Sequence, residues 1–98
     1  MPRHCFVYIL TNYRNTVLYT GVTRSLRWRI REHRDCVGSK FTARYNLRKL
    51  VYFEKFDRPR DAIFREKQIK AGSRARKIAL IQSLNPGWKD LYDDACEF

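Results

Sequence analysis

Arg29 and His33 stand four residues apart in a stretch, 26–34, whose apolar members Leu26 and Ile30 recur at helical spacing. Residues so spaced share a helix face, and Arg27, Arg31 and Arg34 surround the pair. A guanidinium grips phosphate through two parallel hydrogen bonds, and a neutral imidazole accepts or relays a proton near neutral pH, so the pair suits phosphodiester chemistry. A solvated basic face with a surface histidine is the competing reading. Tyr8 and Tyr19 form a second pair. They lie in two runs rich in β-branched, aromatic and aliphatic residues, either side of the turn-prone Asn12-Tyr13-Arg14-Asn15. A loop symmetric about that tetrad would oppose Thr11 to Thr16 and Tyr8 to Tyr19. Opposed strand residues hold their Cβ atoms ~4.5–5.5 Å apart on one face, close enough for two phenols to reach one substrate group. Packing is the competing use of paired strand tyrosines, and a bulge, for which Gly21 offers a site, would break the register.

Glu66 is a third candidate, singled out by angle. With Ala62 as origin, Ile63 falls at ~100°, Glu66 at ~40° and Ile69 at ~−20° around a helix. A carboxylate inside an apolar stripe must be paired, be protonated or hold a cation, because an unpaired buried charge is too costly. Lys70, at i+4, makes an ion pair at the stripe's edge the competing reading. Lys40-Phe41-Thr42, with Tyr45 and Asn46, mixes basic, aromatic and hydroxyl groups. Such a loop can contact a phosphodiester backbone or a splayed base, or be a connection whose aromatics plug the core. Asn85-Pro86-Gly87 is first a helix stop, and Trp88 first a core plug.

The elements that must hold these groups follow from pattern. Strands are expected over Cys5–Thr11 and Thr16–Val22, joined as a hairpin. A helix capped by Thr23 or Ser25 runs to about Cys36, ahead of Gly38. A loop with a short helical turn to Tyr45 leads to a strand over Leu50–Phe56. Pro59 suits the first turn of a helix over Pro59–Ala71, stopped by Gly72, and Ser73 can cap a further helix to Leu84. The order β-β-α-β-α-α gives an α/β (α+β) fold: a small three-stranded, largely antiparallel sheet flanked by helices. At 98 residues the chain reads as one domain, 1–98, with one core.

Lys plus Arg number 21 against 10 Asp plus Glu, a net charge of +11, so the surface attracts polyanions in a salt-dependent way. With 44% hydrophobic and 14% aromatic residues it is no disordered basic tail. Cys5, Cys36 and Cys96 are odd in number and far apart, which indicates neither a disulfide framework nor a zinc site. A reducing compartment fits, and Phe6–Leu10 is too short an apolar run for a signal peptide core or a membrane span, so a cytoplasmic protein is expected.

These residues together resemble the GIY-YIG nucleases, in particular their short stand-alone bacterial members. Phe6-Val7-Tyr8 matches the first motif and Tyr19-Thr20-Gly21 the second, followed by Leu26-x-x-Arg29-x-x-x-His33, with Glu66 at the helical carboxylate. The likeness extends to Lys40-Phe41-Thr42, Leu50-Val51-Tyr52, Arg65-Glu66-Lys67-Gln68-Ile69-Lys70 and Asn85-Pro86-x-Trp88-x-Asp90-Leu91. Phe6 stands where the family has its first-motif glycine and Thr20 where it has an aliphatic residue; neither change removes a reactive group. The resemblance implies phosphodiester hydrolysis on a single Mg²⁺ or Mn²⁺ bound by Glu66. It implies Tyr8 as general base, Tyr19 orienting the water or phosphate, Arg29 neutralising the pentacovalent phosphate and His33 assisting Tyr8 or the phosphate. Arg27, Arg31, Lys40, Thr42, Tyr45 and Asn85 would contact or support the nucleic acid, DNA by preference and branched or damaged in structure. A protein partner for targeting is compatible with so small a chain. The alternatives are a non-catalytic nucleic-acid-binding protein on the same basic face and an adaptor whose exposed aromatics dock another protein.

Overall fold

The structure, a computed structural model, describes residues 4–35 and 40–94. Strands β1 (Cys5–Thr11), β2 (Leu18–Thr23) and β3 (Lys49–Phe56) form an antiparallel sheet in the order β2-β1-β3. Helix α1 (Leu26–Arg34) and the short α2 (Lys40–Arg44) lie between β2 and β3, and α3 (Pro59–Ala71) and α4 (Arg74–Leu84) follow. This is the expected α+β fold, with the helical turn near Tyr45 realised as α2. The expected end of the first helix at Cys36, its Gly38 boundary and Cys96 lie outside the described residues.

Central β1 is buried at every position, which explains its unbroken apolar run: both faces of the sheet are covered. Cys5, Val7 and Ile9 pack with Val51, Tyr52, Ala62 and Ile69 of α3 and Ile81 of α4. Phe6, Tyr8 and Leu10 face the other way, against Leu26 and Ile30 of α1 and Leu47 and Leu50. Phe6, fully buried, fills this second core with the side chain that the family's glycine lacks. The period-two alternation of β1 thus sorts its residues into two layers, and Tyr8 falls in the α1 layer.

The hairpin register differs from the symmetric expectation. Thr11 pairs with Leu18, Leu10 with Tyr19 and Tyr8 with Gly21. Asn12 is the cause: its Oδ1 accepts from the backbone N–H of Thr16 at 2.7 Å and of Val17 at 3.2 Å, and its Nδ2 donates to Thr16 Oγ1 at 2.7 Å. Thr16 and Val17 are drawn into the loop, so pairing begins later. The slip is an even number of residues, which keeps every side chain on its own face. Tyr8 and Tyr19 become diagonal rather than opposed neighbours. Gly21 is no bulge; the sheet's register shift lies between Ile9 and Leu10 against β3.

Caps account for the remaining boundaries. Ser25 occupies the N-cap of α1 in extended conformation without a side-chain bond, while Thr23 Oγ1 accepts from Ser25 N–H at 3.1 Å. Pro59 opens α3 and Gly72 closes it. Ser73 Oγ accepts from Arg76 N–H at 3.2 Å and starts α4. Asn85 then fastens the chain to β3: Nδ2 donates to the carbonyls of Val51 and Lys89 at 3.1 and 2.8 Å, and Oδ1 accepts from Lys89 N–H. Asp90 continues the clamp, with Oδ1 accepting from Leu50 and Tyr92 N–H and Oδ2 paired to Arg34. The Asn85 to Leu91 motif is thereby a structural staple.

Candidate active site

Four of the expected residues meet in the α1 layer. Gly21 lets them do so: a Cβ there would stand 2.5 Å from Tyr8 Cζ and Oη, so the bare strand position is the space the phenol ring fills. Tyr8 Oη lies 3.0 Å from His33 Nε2, and His33 Nδ1 lies 2.8 Å from Thr42 Oγ1. Tyr8 and Tyr19 have ring centroids 6.3 Å apart, and Tyr19 stands edge-on to His33 at 5.5 Å. Arg29 is a second polar partner of the Tyr8 hydroxyl and also pairs with Glu32 at 3.8 Å. Leu26, Ile30 and His33 form the buried stripe of α1, so His33 is an interior residue and not part of a solvated face.

Burial sets the protonation states. It pushes the Tyr8 phenol up to about 12, with the nearby Arg29 guanidinium pulling it back only in part. It pushes His33 down to about 4, with the positive charge of Arg29 acting in the same sense. At neutral pH the site therefore holds a protonated phenol and a neutral imidazole. For Tyr8 to act as a base, its proton must have somewhere to go, and His33 Nε2 is in contact with it.

Thr42, expected as a nucleic-acid contact, is fully buried and faces His33. The neighbouring aromatics do reach the surface. Phe41 is 6.1 Å from Tyr19 and 4.8 Å from Tyr45 between ring centroids, and Arg44 stands over the Tyr45 ring. Lys40, Tyr45, Arg27 and Arg31 are exposed. Arg34, by contrast, is taken up by Asp90 and the Tyr92 ring. Asn85 is buried and lies in the staple described above. Sequence reasoning named two contributors in other roles, Gly21 as a possible bulge site and Thr42 as a nucleic-acid contact. For Gly21 the signal was present, since a glycine inside a strand marks close approach as well as a bulge; for Thr42 a single sequence carries none.

Glu66 stands apart from this cluster. Its helix covers the Val7 and Ile9 face, the opposite layer from Tyr8 and His33, and Lys70 Nζ lies 3.0 Å from its carboxylate. The angular argument holds for Glu66, whose side chain is 14% exposed. It fails for Ile63, which is 43% exposed: the buried stripe of α3 is centred between Ala62 and Ile69, too far round to include it. α3 also packs on β2, the edge strand that carries Tyr19. The donor chemistry fits a hard ion: one carboxylate whose counter-charge is a half-exposed lysine leaves Mg²⁺ most of its waters, as it prefers. Among the described residues no three His, Cys, Asp or Glu side chains gather, so a cage of the zinc kind is not what these side chains make.

Residues 4–79 match the family model described as the GIY-YIG catalytic domain. The chain belongs to the GIY-YIG family. Similar relatives are UPF0213 protein CPE1444 of Clostridium perfringens, 44% identical over 78 residues that make up 80% of this chain and 83% of that one, and a UPF0213 protein of Syntrophus aciditrophicus, 42% identical over 83% and 92% of the two chains. Among solved structures, the solution NMR structure of UPF0213 protein BH0048 from Bacillus halodurans matches with a TM-score of 0.58 at 28% identity, covering 89% of this chain and 92% of that one. GIY-YIG domains are a nuclease family, generally metal-dependent and nucleic-acid-binding. Phe6 is fully buried and Thr20 is 4% exposed, so both are core positions. No described helix is long and apolar enough to cross a membrane.

Proposed function

We propose that this protein is a metal-dependent endonuclease that hydrolyses phosphodiester bonds in DNA, acting on branched or damaged structure with Tyr8, Tyr19, Arg29 and His33 as its catalytic residues and Glu66 as the ligand of Mg²⁺ or Mn²⁺. The contact between Tyr8 Oη and His33 Nε2 carries the reading. A buried phenol touching a neutral imidazole, beside a guanidinium, is a place where a water can lose a proton next to a held phosphate. Packing alone gives no reason to bury a histidine that bonds a tyrosine on one side and a threonine on the other.

In this reading Arg29 exchanges Glu32 for a phosphate oxygen, and Tyr19, half-buried beside Tyr8 and His33, aligns the water. Tyr8 takes the water's proton while its own moves to His33. Glu66 would hold the divalent ion, which would supply stabilisation of the charge that develops as the phosphodiester bond breaks. Arg27, Arg31, Lys40 and Tyr45 offer exposed basic and aromatic contacts to the nucleic acid. The net charge of +11 supports a polyanion such as DNA as partner, with a protein partner supplying targeting. A buried free Cys5 suits a reducing, cytoplasmic setting.

The experiment is cleavage of a panel of single-stranded, duplex, flap and four-way DNA with Mg²⁺ or Mn²⁺. Nicking that Tyr8→Phe and Glu66→Ala abolish is the expected result. Binding that is salt-dependent but never followed by cleavage would favour the non-catalytic alternative, and undiminished cleavage by Glu66→Ala would reject the metal assignment.

A further inference from the structure

The polar atoms around Tyr8 leave little freedom in where protons sit. Tyr8 is 1% exposed, so its hydroxyl hydrogen needs an acceptor among its neighbours. Arg29 has donors only. The acceptor in contact is His33 Nε2, at 3.0 Å. His33 is itself fully buried and neutral, and a neutral imidazole carries one ring proton. If Nε2 accepts, that proton is on Nδ1, whose partner at 2.8 Å is Thr42 Oγ1.

We propose that Thr42 is a positioning residue: its hydroxyl accepts the Nδ1 proton of His33 and thereby holds the imidazole in the tautomer whose Nε2 lone pair faces Tyr8. The opposite tautomer would aim both Arg29 and His33 donors at the phenol oxygen and strand the Tyr8 hydrogen. On the nuclease reading above, the consequence is a directed transfer. The attacking water gives a proton to Tyr8 Oη, the phenolic proton passes to Nε2, and His33 becomes an imidazolium whose Nδ1–H still rests on Thr42. The water oxygen bonds to phosphorus, the bond to the leaving oxygen breaks with its electron pair, and that oxygen takes a proton from solvent. His33 then returns its extra proton to solvent. Thr42 touches neither substrate nor metal.

Two readouts test this, one independent of any activity. Long-range nitrogen-proton NMR correlations of the His33 ring in the wild-type protein should show Nδ1 protonated and Nε2 bare at neutral pH. Thr42→Val, of nearly the same shape, should move the proton to Nε2, since a buried unpartnered N–H is worse than an unpartnered lone pair; Thr42→Ser should restore the original tautomer. In cleavage assays kcat should fall ~10-fold or more for Thr42→Val with KM unchanged, and recover for Thr42→Ser. A wild-type Nε2–H tautomer overturns the proposal, and needs no variant to fold. So does Thr42→Val with wild-type tautomer and kcat, or a kcat loss that Thr42→Ser shares. If the protein cleaves nothing, the nuclease reading fails while the tautomer result still decides the role of Thr42.

Discussion

Gly21 lies directly opposite Tyr8 in the β1–β2 ladder, and the phenol occupies the room that a side chain at position 21 would take. Neither the Tyr8 ring nor the backbone of central β1 can retreat easily, because both are closed in by α1 and β3. Gly21→Ala should therefore destabilise by about 1–3 kcal/mol, as overpacking does, and should pull the Tyr8 hydroxyl off His33. Urea unfolding gives the first effect. The second is read in the loss of cleavage by a variant that is still folded at 25 °C; an alanine variant as stable and as active as wild type would contradict the close approach.

Tyr8→Phe separates chemistry from packing. The ring stays and fills the same core volume, while the hydroxyl that meets His33 is gone. Leaving Nε2 of a buried imidazole without a donor costs about 1 kcal/mol. Losing the acid-base group should lower kcat by ~10²–10⁴ with DNA affinity little changed, since the basic surface is untouched. Fluorescence anisotropy with labelled DNA measures affinity, and single-turnover cleavage measures the chemical step.

How much of this was legible in the sequence depends on whether the cue was local. Strand β1, helix α3 and the start of α4 were readable because their signals are local: an unbroken apolar run, Pro59 and Gly72 as punctuation, Ser73 as cap. The hairpin register was not, because one side chain, Asn12, holds Thr16 and Val17 in the loop, and turn symmetry takes no account of that. Of the site, residue types were visible and partners were not. His33 falls four residues after Arg29 on any helix, but only the packing of α1 on the Tyr8 face makes it an interior residue, and its contact with Thr42 crosses from α1 to α2. Glu66 shows the converse: its angle gave its burial, and its ion pair with Lys70 was foreseeable from spacing alone.

The buried, neutral His33 makes stability depend on acidity. In the unfolded chain a histidine protonates near its ordinary 6.5; in the fold His33 resists until about 4. The unfolded state thus binds more protons between those values, and stability falls as pH is lowered through that window, by up to about 3 kcal/mol. Above the ordinary value the contribution is fully present. Urea midpoints measured from pH 7 to 4 should drop more steeply for wild type than for His33→Gln, which has nothing to titrate. Equal slopes would mean that the imidazole is already charged or solvated in the folded protein.

Lys70 offers a test of what Glu66 is for. The pair spans one helical turn at 3.0 Å, and the lysine is 52% exposed, so the contact belongs to the weak class worth ~0.2–1 kcal/mol. If Glu66 serves only stability, Lys70→Ala leaves a mostly buried carboxylate uncompensated and nothing is gained. If it serves a cation, the lysine is a competitor for the same oxygens, and its removal should tighten Mn²⁺ binding by up to about fivefold. Titration calorimetry of the protein with Mn²⁺ distinguishes the two. Tighter binding in Lys70→Ala together with its loss in Glu66→Gln is the expected pattern, whereas affinity indifferent to both changes would take the metal away from α3.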